Sequence, residues 1–253
     1  MSQDHVNRTT EDHRAFARAP IRLTVEALAC RRSGRLVFAG LDFSLDPGDA
    51  LLVTGRNGAG KSTLHAILAG RLHAASGRVV LDGAGEASLP ERLHWIAHRD
   101  GLKTALSARE NLAFAAAMLG DAHLAPREAL ERVGLPHVAD MPVAYLSAGQ
   151  RRRVALARLL VAHRPIWLLD EPTSALDTAS QEMLYGLMRD HRDAGGIVIA
   201  ATHLPLPLEG AKSLAIAAPA PESGAGLSPG PENWEDWDIA DVAGQAVSGR
   251  RGS

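Results

Sequence analysis

Several short runs of the chain are apolar without interruption. Ala50–Val53 leads into Thr54-Gly55, Ile166–Leu169 into Asp170-Glu171, and Ile197–Ala201 towards His203. Unbroken runs of this length, each followed by polar residues, predict strands buried on both faces. Leu93, Trp95 and Ala97 recur at every second position, which predicts a further strand leading into His98. Between the runs the spacing becomes helical. Leu64, Ile67 and Leu68 form a stripe that predicts a helix over 61–72. Ser107 stands three residues before Glu110, the spacing of a capping box, ahead of the run 112–119. Pro126 suits the first turn of the next helix, which Gly134 would stop. A third helix starts near Ser147 and ends before Pro165, and another covers about 178–194 up to Gly195-Gly196.

Strands alternating with helices predict an α/β fold with a parallel sheet. Residues 20–82 hold short apolar or alternating stretches punctuated by glycine, which read as strands. The helix-only block forms an inserted subdomain, set at about 99–160 within a domain spanning 20–217. Residues 1–19 are mixed charged and polar, and residues 218–253 turn to Pro, Gly, Ser and acids, so both ends are expected to be disordered. Trp234 and Trp237 lie in that second stretch.

Composition narrows the function. The net charge of −2 gives no reason to expect a nucleic-acid partner. The single cysteine, Cys30, has no partner for an internal disulfide and fits a reducing compartment. No stretch approaches the roughly 18–20 apolar residues of a membrane span, and the first 20 residues carry no apolar signal core. A cytoplasmic protein is expected, held at a membrane only through another subunit.

The chemistry sits where the apolar runs end. Gly55-Arg56-Asn57-Gly58-Ala59-Gly60-Lys61-Ser62 fits the phosphate-loop pattern between a strand and a helix. Its glycines let successive backbone N–H groups face one concavity, and the following helix adds its positive end. Lys61 is suited to reach the β- and γ-phosphates, and the Ser62 hydroxyl to bind Mg²⁺. Asp170 and Glu171 stand at the carboxyl end of a strand, the sheet edge where ligands bind in open α/β folds. Asp170 is suited to Mg²⁺, directly or through water, and Glu171 to activating the attacking water. The three consecutive arginines 151–153 point about 100° apart on a helix, so they form no single basic face and are expected to be solvated.

Leu146-Ser147-Ala148-Gly149-Gln150 resembles the L-S-G-G-Q signature of ATP-binding cassette (ABC) ATPases, with Ala148 in place of one glycine. Ser174-Ala175-Leu176-Asp177 resembles their D-loop, and His203 their switch histidine. The resemblance covers about residues 20–217. It implies a P-loop nucleotide-binding domain of ABC type, with a RecA-like core, an antiparallel β part and an α-helical subdomain carrying the signature. It implies ATP and Mg²⁺ as ligands. Gly55, Arg56, Asn57, Gly58, Ala59, Gly60, Lys61, Ser62 and Thr63 would bind the nucleotide, Ser62 and Asp170 the metal. Lys61, Glu171 and His203 would be catalytic. Ser147, Ala148, Gly149 and Gln150 would face the phosphate loop of a second copy, in a head-to-tail homodimer.

His98-Arg99-Asp100-Gly101-Leu102-Lys103 resembles the H-Q-P-G-[IL]-K loop of the CcmA family, the ATP-binding subunits of the cytochrome c biogenesis (haem exporter) system. The phrase from Leu146 to Leu159 and the segment Cys30–Arg35 resemble that family too. The resemblance implies membrane partners of the CcmB and CcmC type and, indirectly, the haem chaperone CcmE. It implies a peripheral position on the cytoplasmic face of the bacterial inner membrane, and coupling of ATP hydrolysis to haem export or to release of the loaded chaperone. Two positions depart from the general pattern. Arg99 stands where glutamine is usual, with His98 beside it, and either Arg31 or Arg32 falls where an adenine-stacking aromatic is usual. The ATPase of another exporter, for lipid or drug, stays open, as does a cassette protein acting on ribosomes or DNA.

Overall fold

The computed structural model describes residues 20–204 and 206–217. The expected N-terminal arm and C-terminal tail, with Trp234 and Trp237, lie outside the described residues.

Two sheets organise these residues. β1 (Arg22–Arg32), β2 (Arg35–Leu45) and β4 (Ser76–Asp82) form an antiparallel sheet in the order β2-β1-β4. β3 (Ala50–Thr54), β5 (Leu93–Ile96), β6 (Ile166–Asp170), β7 (Ile197–Ala201) and β8 (Lys212–Ala215) form a parallel sheet in the order β5-β6-β7-β3-β8. The phosphate-loop strand β3 and the acid-bearing strand β6 thus flank β7, and all three end at one edge.

The unbroken apolar runs are explained by the two faces of this sheet. Ile166 and Leu168 of β6, with Ile197 and Ile199 of β7, pack into one core with β1 and helix α1 (Lys61–Leu68). Trp167, Leu169, Val198 and Ala200 point the other way, into a core shared with the helices α2 (Ala108–Leu119), α4 (Ala148–Val161) and α5 (Thr178–Asp193). Leu168 and Leu169 are fully buried, and truncating either to alanine is expected to cost about 2–5 kcal/mol. Helices α2, α3 (Pro126–Arg132) and α4 pack on one another beyond the sheet.

The expected caps are in place. The Ser107 and Ser147 hydroxyls accept from the backbone N–H groups of Glu110 and Gln150, 3.2 Å away in each case. The side chains of Glu110 and Gln150 reach back to the cap N–H groups at 2.8 Å. One boundary differs. The predicted helix 61–72 ends at Leu68, because Gly70 turns into the left-handed region (φ +67°) and Arg71 N–H bonds back to the Ala66 carbonyl. No helix among the described residues is long and apolar enough to cross a membrane.

Candidate functional site

The phosphate loop leaves β3 and closes on α1 through two constrained glycines. Gly55 has φ +143°, and a Cβ there would lie 2.5 Å from the Ile216 carbonyl oxygen. Gly60 has φ +109° at the start of α1, and its Cβ would lie 2.7 Å from Val37 Cγ1. Only glycine fits both the conformation and the space. Lys61 is buried, and its ammonium curls over its own loop, donating to the carbonyls of Gly55 (2.8 Å) and Arg56 (3.4 Å).

The acids come from the end of β6, across β7 from β3. Asp170 ends β6 with its side chain buried. Glu171 follows in a left-handed conformation (φ 45°), costly for a residue with a side chain, and its N–H donates to the Ala201 carbonyl (2.8 Å) at the end of β7. His203, just beyond β7, sets its Nδ1 2.8 Å from Glu171 Oε2. Thr202, between them, donates its N–H to the Val53 carbonyl of β3 at 3.1 Å, so the ends of β3 and β7 are tied together.

These residues converge on one cleft of ≈ 580 Å³. Asn57, Gly58, Gly60, Lys61, Ser62, Thr63, Asp170, Glu171 and His203 line it. Gly55, Arg56 and Ala59 shape the loop without lining the cleft. Of the alternatives left open by the sequence, His98 and Arg32 line it, whereas Arg99 and Arg31 do not. Ser147, Ala148, Gly149 and Gln150 are also outside it; Ser147 and Ala148 are exposed at the start of α4, and Gly149 packs beside the Ala175 carbonyl of the D-loop. One chain therefore brings together the phosphate loop, the two acids and His203, but not the signature.

The expectation of three solvated arginines is corrected. Arg152 is 3% exposed. Its Nη1 donates to the Ala97 carbonyl (2.9 Å) and Asp100 Oδ1 (3.0 Å), and its Nη2 to the carbonyls of Asp170 (2.8 Å) and Glu171 (2.9 Å). Arg151 and Arg153 donate to the carbonyls of Leu146 and Val133. Three arginines spaced around a helix cannot share a face, and for that same reason one of them had to turn inward. No local signal singled out Arg152: Arg151 and Arg153 also stand three and four residues before buried positions, Val154 and Ala155 for the one and Leu156 and Ala157 for the other. His65 was also missed. It is fully buried behind the phosphate loop, burial pushes its pKa down to about 4 with Asp170 opposing, and neither ring nitrogen has a hydrogen-bond partner.

A β-strand, a glycine loop closing on a helix, and a strand two places along the same sheet ending in two acids define a phosphate-loop nucleotide-binding site. The family description "ABC transporter" matches residues 38–174, and the chain belongs to the ABC transporter family, as an ATP-binding ATPase subunit. Within that family it falls in the CcmA group. It is 54% identical over 190 residues to the "Cytochrome c biogenesis ATP-binding export protein CcmA" of Bradyrhizobium diazoefficiens, covering 75% of this chain and 95% of that one. The protein of the same name from Chelativorans sp. is 52% identical, covering 78% and 99%. Among solved structures, a putative ABC transporter ATP-binding protein from Pyrococcus furiosus superposes with a TM-score of 0.68 at 22% identity, covering 77% of this chain and 97% of that one. A bacterial Atm1-family ABC exporter with ATP bound gives 0.68 at 24%, covering 80% and 38%. These two likenesses concern the fold.

Proposed function

We propose that this chain is the ATP-hydrolysing subunit of an export complex for cytochrome c biogenesis, coupling ATP hydrolysis to haem export or to release of a haem-loaded chaperone. The observation that carries the ATPase reading is the convergence of Lys61, Ser62, Asp170, Glu171 and His203 on one cleft. The biological assignment rests on the identity with proteins named CcmA along nearly their whole length.

The backbone N–H groups of the phosphate loop and the start of α1 take the phosphates. The Lys61 ammonium exchanges its loop carbonyls for β- and γ-phosphate oxygens. The donors beside the phosphates are one hydroxyl, Ser62, and the buried carboxylate of Asp170. No group of three or more His, Cys, Asp or Glu able to hold a metal occurs among the described residues. That oxygen pair suits Mg²⁺ arriving with the nucleotide rather than a resident metal. Mg²⁺, when bound, neutralises charge developing on the phosphate oxygens. Glu171 accepts a proton from the attacking water as the water oxygen bonds to the γ-phosphorus and the bond to the β–γ bridging oxygen breaks, with ADP as the leaving group; His203, hydrogen-bonded to Glu171, orients the carboxylate.

The exposure of Ser147 and Ala148, outside the cleft of their own chain, supports a site completed by a second copy. In that head-to-tail homodimer the helix start at Ser147 faces the partner's γ-phosphate. The complex sits at the cytoplasmic face of the inner membrane on subunits of the CcmB and CcmC type, acting indirectly on CcmE. Deleting the gene tests the assignment: loss of c-type cytochromes from the host is expected, and normal haem attachment in the deletion strain would refute it.

A further inference from the structure

One buried side chain that makes four hydrogen bonds beside the cleft is not used by the hydrolysis described above. Arg152 lies on the helix that begins at the signature, four residues after Ala148, which opens it. Its guanidinium spans three segments. One nitrogen holds the end of the β5 strand and its following loop, at the Ala97 carbonyl and Asp100 Oδ1. The other holds the carbonyls of Asp170 and Glu171. Arg158, further along the same helix, grips the same loop through the Asp100 carbonyl at 2.7 Å. The loop so held is 98–103, whose His98 lines the nucleotide cleft.

Glu171 needs such a brace. Its backbone sits in the left-handed region, a conformation that persists only where its surroundings hold it. Its N–H is fixed by Ala201 and its carbonyl by Arg152, together with the Ser174 N–H at 3.1 Å. A planar, permanently charged fork is suited to gripping several carbonyls at once.

We propose that Arg152 is a positioning residue for hydrolysis: it ties loop 98–103 and the signature helix to the backbone of Glu171, so that the position of this loop sets the aim of the water-activating carboxylate. Asp100 is its partner on the loop. The proposal rests on the reading of Glu171 as the base.

The test is steady-state hydrolysis and ATP affinity of the full chain, with melting temperature alongside, for the parent and for Arg152→Gln, Arg152→Lys, Asp100→Asn and the double variant Arg152→Gln/Asp100→Asn. Small displacements of a catalytic group act on kcat. Arg152→Gln is expected to lose about tenfold or more in kcat while ATP affinity stays within about threefold. Arg152→Lys is expected to keep the parent's melting temperature but not its kcat, since one ammonium does not span four acceptors. Asp100→Asn is expected to lose about threefold, and the double variant to be no slower than Arg152→Gln, because Asp100 acts through Arg152. Parent-like kcat in Arg152→Gln and Asp100→Asn, or losses that multiply in the double variant, would overturn the proposal. If Arg152→Gln does not fold, Asp100→Asn decides alone, and parent-like kcat in it overturns the proposal. An inactive Glu171→Gln beside parent-like Arg152 variants would sink this inference only; an active Glu171→Gln would sink the base assignment on which it rests.

Discussion

Lowering the pH from 7.5 to 5.5 is expected to destabilise this protein well before its carboxylates protonate. Three histidines are responsible. His65 and His94 are buried in the two cores, and burial pushes each down to about 4. His191 lies flat on Trp167, with ring centroids 3.9 Å apart, and burial pushes it down to about 3. Each pKa is lower in the folded chain than the ordinary 6.5 of the unfolded one. The unfolded chain therefore binds more protons below pH 6.5; stability is full above that value and falls as the pH drops towards the folded pKa values. Between pH 7.5 and 5.5 the loss is about 1.3 kcal/mol per histidine, and about 4 kcal/mol for the three. For a domain of this size that lowers the melting temperature by roughly 8–16 °C. Carboxylates such as Asp140, held down by Arg109 and Arg127, stay ionised at pH 5.5 and do not contribute in this window. Thermal or urea unfolding at the two pH values measures the effect. His65→Leu should remove about one third of the loss, since it replaces an imidazole with two unpartnered nitrogens by an apolar side chain. Equal stability at pH 7.5 and 5.5, or an undiminished pH dependence in His65→Leu, would refute the reasoning.

Other expectations concern the cleft. Lys61→Ala removes a charged donor to the phosphates, worth about 1.5–3 kcal/mol, so ATP affinity should fall roughly 10- to 100-fold in an equilibrium titration. His203→Ala removes the partner 2.8 Å from Glu171 and should lower kcat by on the order of 10²-fold with ATP affinity little changed, read from initial rates over an ATP series. Gly55→Ala forces a Cβ to 2.5 Å from the Ile216 carbonyl at φ +143°; nucleotide binding should be lost, with a stability cost of roughly 1–3 kcal/mol visible in the melting temperature.

Much of the α/β pattern was legible because β3, β6 and β7 are buried on both faces and so leave unbroken apolar runs, each ending at the chemistry. The caps at Ser107 and Ser147 were legible because capping is local. The strand Lys212–Ala215 was not: it is a short edge strand, three of its four residues are exposed, and its place beside β3 is set by tertiary pairing. The long β1 was seen only as short stretches, because its register with β2 shifts between Val25 and Leu28 and again at Cys30, with Ala27 in a left-handed conformation (φ 46°). Within the site, the phosphate loop and the two acids were legible from spacing. The pairing of His203 with Glu171 and the inward turn of Arg152 depend on which strands lie side by side, and no local pattern carries that order.

The central claim is that two copies enclose ATP and that Glu171 triggers its hydrolysis. Glu171→Gln keeps the shape of the site but removes the proton acceptor. With Mg²⁺ and excess ATP, light scattering on the eluting protein should show this variant at roughly twice the mass of the nucleotide-free chain, with ATP bound and turnover lost. A Glu171→Gln protein that stays monomeric with ATP and hydrolyses it at the parent's rate would contradict the account.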